Sequence, residues 1–128
     1  MRDYRCPGYP DHEPLVPHGI SVIVNAPSVF RTTATTSPEL HLEAAAALGA
    51  DVRGASPSDA ASILPGTVMA LMKAAGVPNG VGGVGYTEAD VDALARGAIV
   101  QKRLVDNAPM QVDEEAMRGL FRSALSYW

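Results

Sequence analysis

The sequence predicts an all-α domain, a helical bundle of five or so helices, and three observations carry that expectation. Helix starts recur as a Ser or Thr followed by Pro or an acidic residue, at Ser37-Pro38-Glu39, Ser56-Pro57-Ser58-Asp59 and Thr87-Glu88-Ala89-Asp90. Such a hydroxyl accepts from an orphan amide of the first turn, proline suits the first helical position, and a carboxylate meets the positive end of the dipole. Between these starts the apolar residues fall three and four apart, the period of one helix face. Alternation of the kind that marks a half-buried strand is confined to Ile20-Ser21-Val22-Ile23-Val24.

Taken in order, residues 1–16 carry Pro7, Gly8, Pro10 and Pro14 without periodicity and read as an extended surface loop. His12 lies in it, flanked by Asp11 and Glu13, and reads as solvated. Pro14 and Pro17 keep the chain extended, so regular structure can begin only at Pro17 and places His18 in its first turn. Gly19, having no side chain, leaves room for a ligand or metal beside that imidazole. A lone histidine more often caps or packs than ligates, because metal sites need several ligands. From Pro17 to about Thr35 the apolar residues surround the axis, which suits a buried helix with a kink near Pro27. The β-branched run Ile20–Val24 could instead be a strand, and propensity alone leans that way. Asn25, if buried, needs a structural hydrogen bond.

The helix Pro38 to Leu48 ends at Gly49, with Leu40, Ala44, Ala47 and Leu48 as its apolar face and His41 on the polar side with Glu43. A further helix runs from Pro57 to Gly76, where Pro65-Gly66 should kink or split it and Met69 and Met72 fill the core. Gly80-Val81-Gly82-Gly83-Val84-Gly85 fits the dinucleotide fingerprint, but it follows a helix instead of a buried strand. It reads as a flexible connector. A capping box pairing Thr87 with Asp90 starts the helix Glu88 to Val100, which buries Val91, Leu94, Ala95, Ala98 and Ile99. Residues 101–112 read as a loop in which Leu104 or its neighbours pack ordinarily or line a pocket, with packing the first expectation. Asp113 then caps a last helix that turns Met117, Leu120, Phe121, Leu125 and Trp128 inward.

At 128 residues and 47 % hydrophobic the chain suits one domain, 1–128, with a real core. A net charge of −4 with scattered Lys and Arg argues against nucleic acid as a partner. Apolar runs are interrupted well short of the roughly 20 residues of a membrane span, so no membrane partner is expected. The one cysteine, Cys6, allows no intrachain disulfide and reads as an incidental thiol. With no leader-like pattern in residues 1–12, the expected location is cytoplasmic.

Several strings resemble one family in the same order: Gly8-Tyr9-Pro10 through Pro17-His18-Gly19 to Ala26-Pro27-Ser28-Val29-Phe30, then Ser37-Pro38-Glu39-Leu40-His41-Leu42-Glu43. Gly76-Val77-Pro78, Gly85-Tyr86-Thr87-Glu88-Ala89-Asp90 and Asn107-Ala108-Pro109 continue the likeness. The family is the iron-containing alcohol dehydrogenases, specifically the C-terminal helical domain of this dehydroquinate synthase-like fold, and most of all the branch with the hydroxyacid-oxoacid transhydrogenases. The resemblance implies that Pro17 to Thr35 is helical and that His18 is the last of four metal ligands, one Asp and three His. It implies Fe(2+) or Zn(2+) held by His18 with ligands upstream of Met1, and NAD(P) bound by an N-terminal domain also upstream. The implied substrate is a small hydroxyacid, such as 4-hydroxybutyrate with a 2-oxoacid acceptor, or an alcohol. The implied partner is the missing N-terminal half, or another copy through self-association, and the isolated chain is expected to be inactive. Two alternatives are a non-catalytic helical interaction module that keeps only the fold and a metal-free relative like maleylacetate reductase.

Overall fold

The structure, a computed structural model, describes residues 3–10 and 12–128, so Asp11, the acidic neighbour of His12, lies outside the described residues. Seven α-helices and no strand occur among the described residues: α1 His18–Ile23, α2 Ala26–Thr33, α3 Pro38–Ala47, α4 Ala60–Ala74, α5 Val91–Ile99, α6 Lys102–Val105 and α7 Glu114–Ser123. The all-α expectation is met. Helices α2, α3 and α4 pack as one group and α5 with α7 as another, while α2 also touches α7.

Two clusters of buried residues make up the core. Ala45, Leu64, Val68 and Met72 form the first, with Ile23, Ala26 and Phe30 against it. Val24, Val81 and Ala124 form the second, with Ile20, Tyr86 and Leu125 against it. Val77 and Tyr127 pack on both and join them. On the outside of the second group, Arg118 of α7 reaches Asp92 of α5 at 2.8 Å and its own helix's Glu115 at 3.1 Å, and Arg122 meets Glu88 at 2.7 Å. These carboxylates raise both guanidinium pKa values. Such exposed pairs orient α7 on α5 more than they stabilise it.

Helix starts behave as the sequence predicts. Ser56 with Asp59 and Thr87 with Asp90 form capping boxes, each opening on a 3₁₀ turn, and Asp113 accepts from Ala116 N–H at 2.8 Å. At Ser37 no side-chain cap forms.

Departures from expectation are informative. The segment Pro17 to Thr35 is two helices, broken at Val24 and Asn25. Pro27 has no N–H for the Ile23 carbonyl and its ring crowds that oxygen, so α1 stops at Ile23 and α2 restarts with the proline in its first turn. Nor is this apolar segment buried all round: Val24, Pro27 and Ser28 are, whereas Val22 is 55 % exposed. In α3 the packed face is rotated from the expected one. His41 and Leu42 are half-buried and Ala45 fully so, while Leu40 is 63 % exposed. Helix α4 runs unsplit through Pro65, whose side chain is among the most buried, because tertiary packing offsets the one lost ladder bond. Residues 101–112 include the short helix α6, and Trp128 is largely exposed, with Lys73 Nζ 6.0 Å from its ring centre.

Candidate functional site

His18 opens α1. Pro17 before it is extended (φ −55°, ψ 147°), and its carbonyl accepts the first helical bond, from Ser21 N–H at 3.0 Å. One turn on, Ser21 Oγ donates to the His18 carbonyl at 2.7 Å, and one turn further Asn25 Nδ2 donates to the Ser21 carbonyl at 2.9 Å. Asn25 thus has the structural bond expected of it. The series His18, Ser21, Asn25 runs up one helix face by its spacing of three and four. Ser21 and Asn25 line a cavity of about 240 Å³, closed on the far side by Val81, Val84, Tyr86 and Phe121. His18 itself is exposed, and among the described residues no hydrogen bond or ion pair engages its imidazole. A Cβ on Gly19 would meet nothing within 4 Å, so the space beside the ring is open as predicted.

The other histidines are placed differently. His12 is exposed in the N-terminal loop. His41, expected on the solvated side of its helix, is half-buried: Nδ1 donates to the Ser37 carbonyl at 2.8 Å and Nε2 lies 2.9 Å from Thr33 Oγ1. Its ring stands edge-on to Phe30, 6.1 Å between centres. It ties α3 to α2. Among the described residues no three His, Cys, Asp or Glu side chains come together in a way that could hold a metal ion. Among the described residues His18 therefore belongs to no such group.

The glycine loop is neither a phosphate cradle nor a flexible connector. A cradle needs free amides. Here Val81 N–H bonds the Ala124 carbonyl at 2.8 Å and Gly82 N–H that of Leu125 at 3.0 Å, and the amides of residues 83–86 bond within the loop. The glycines serve close packing. A Cβ on Gly80 would lie 2.2 Å from the Ala124 carbonyl oxygen, and one on Gly82 2.4 Å from that of Leu125.

Leu104, first expected to pack, is 61 % exposed. It lines a cavity of about 300 Å³ with Val29, Val105, Met110, Met117 and Leu120. Sequence reasoning also missed Tyr127. Its hydroxyl donates to the Val24 carbonyl at 3.0 Å and accepts from Ser28 N–H at 3.3 Å. Nothing local in the sequence marks a penultimate tyrosine for that role, since both partners lie about a hundred residues away.

Residues 14–125, which include His18, match the family described as Fe-containing alcohol dehydrogenase family, C-terminal. Over its whole length the chain is 40 % identical to a probable mitochondrial hydroxyacid-oxoacid transhydrogenase of Dictyostelium discoideum, covering 24 % of that protein. It is 40 % and 39 % identical to the mitochondrial hydroxyacid-oxoacid transhydrogenases of Xenopus tropicalis and Homo sapiens, covering 28 % and 27 % of them. A solved 1,3-propanediol oxidoreductase superposes with a TM-score of 0.76 at 27 % identity, over 85 % of this chain and 28 % of that one. The chain thus spans about a quarter of the length of the relatives it matches. These names correct the expected cytoplasmic location, since they point to the mitochondrion. Neither a single cysteine nor the pattern of residues 1–12 bears on targeting, which is read at the N-terminus of a full-length protein.

Proposed function

The chain belongs to the Fe-containing alcohol dehydrogenase family, whose C-terminal part it matches, and from that premise we propose that residues 1–128 are a C-terminal metal-binding domain, contributing one ligand and one wall of the substrate cleft to an oxidoreductase. The ligand is His18. What carries this reading is an exposed, unengaged imidazole at a helix start, one turn from side chains that line a cavity. The donor chemistry fits a metal: neutral imidazole suits Fe(2+) and Zn(2+) alike, and a single such donor fits a site completed by other polypeptide. A bound metal would supply Lewis acidity to an alcohol or carbonyl oxygen. Ser21 and Asn25 tie down the His18 and Ser21 carbonyls of α1, and Val81, Val84 and Phe121 give the adjoining cavity apolar walls.

The amides of residues 81–86 in the glycine loop are already bonded, so a nicotinamide cofactor would be held outside this loop. The names of the relatives favour a hydroxyacid as hydride donor and an oxoacid as acceptor. Assays of the purified chain alone and of the chain joined to the upstream part of a family member test the proposal. Only the joined protein should oxidise a hydroxyacid at the expense of a 2-oxoacid. Turnover by the chain alone, or a metal-loaded joined protein with no such activity, would contradict it.

A further inference from the structure

We infer that Tyr127 is a positioning residue: its hydroxyl pins the elbow between α1 and α2 and so sets where His18 points. Val24 and Ser28 stand four apart, and in a continuous helix the Val24 carbonyl would accept directly from Ser28 N–H. Instead the Tyr127 hydroxyl sits between them, donating to Val24 O at 3.0 Å and accepting from Ser28 N–H at 3.3 Å. A side-chain group inserted into the ladder is a recognised cause of a sharp helix bend. Here it also satisfies two backbone groups that the break would leave unpaired in a buried place, since Val24 is 1 % and Ser28 2 % exposed.

The pin is itself held. Tyr127 N–H donates to Asn79 Oδ1 at 2.7 Å, and Asn79 Nδ2 donates to Ser126 Oγ at 3.2 Å and to the Trp128 carbonyl. The glycine loop grips the segment just before it through the Val81 and Gly82 amides. Ser28 Oγ closes the circuit by donating to the Leu120 carbonyl of α7 at 2.8 Å. The elbow, opened by Pro27, and with it the short helix that begins at His18, therefore takes its direction from the C-terminal tail. α1 itself contributes only the half-buried Ile20 and Ile23 to the core.

That Tyr127 matters to a metal rests on the reading of His18 above; that it sets the elbow does not. The test is made on the 128-residue chain by NMR. In Tyr127→Phe, which keeps the ring in both clusters, residual dipolar couplings should show α1 reoriented relative to α2 and α4, with α2 and α4 unchanged to each other. Ser28 amide exchange should quicken about tenfold over its α2 neighbours, the size of one lost hydrogen bond. Asn79→Ala, which frees the tail without touching the hydroxyl, should move α1 in the same sense. A purely stabilising tyrosine would lower the unfolding midpoint and leave the α1 couplings as in the wild type, and that result overturns the inference. If α1 moves but metal content in the joined protein is indifferent to His18, the elbow stands and the metal reading fails.

Discussion

Glycines show at the scale of single residues how far sequence goes. Gly19 and Gly82 look alike on paper, yet only one is required for folding. A Cβ at Gly82 would press on a backbone carbonyl at 2.4 Å, whereas one at Gly19 meets nothing. Gly82→Ala should therefore destabilise the chain by about 3 kcal/mol or more, as overpacking against backbone does. Gly19→Ala should stabilise it by about 0.4–1 kcal/mol, by restricting the unfolded chain at a position where alanine fits. Urea midpoints of the two variants check both, and equal shifts would show that the loop is not packed as described. A motif scan sees the glycine spacing in 80–85 but not the tail behind it. In the same way, the place of His18 at a helix start was legible because its proline and glycine neighbours are local, while His41 was misplaced because Thr33 and Phe30, which hold its ring, come from another helix.

Among the elements, helix starts were legible and helix faces less so. The capping boxes at Ser56 and Thr87 need only residues three apart, and both formed as read. The face of α3 was misjudged because alanines surround it, so the pattern carries little direction and packing on α4 decides. The elbow at Val24 and Asn25 was half legible: Pro27 announces a fault, but the Tyr127 hydroxyl that completes it comes from the other end of the chain. Burial holds this phenol above its ordinary pKa of 10.0. As pH rises the unfolded chain then ionises first, so the contribution is complete below about pH 10 and is lost as pH climbs through the folded-state value. Wild-type protein should lose stability in that alkaline range more steeply than Tyr127→Phe. Parallel curves would mean that the phenol is no more buried than a surface tyrosine.

Over the whole molecule, the helical class was legible from caps and spacing, but the surface was not. Residues with large apolar side chains lie open, Val22 at 55 %, Leu104 at 61 % and Val100 at 65 %, and a cavity of about 300 Å³ opens among aliphatic side chains. Open apolar surface, where contiguous, promotes association. The isolated chain should bind an apolar dye and self-associate in sedimentation, and a strictly monomeric, dye-silent protein would count against that picture. At the site, one imidazole cannot displace enough metal-bound water to hold an ion alone. The most direct measurement of the central claim is metal per subunit, by elemental analysis, in the protein joined to the upstream part of a family member. The account predicts that His18→Ala loses the metal and turnover together, that His12→Ala keeps both, and that His41→Ala keeps the metal while losing about 1–2 kcal/mol of stability with its two hydrogen bonds and ring contact. A His18→Ala protein that retained its metal and its rate would contradict it.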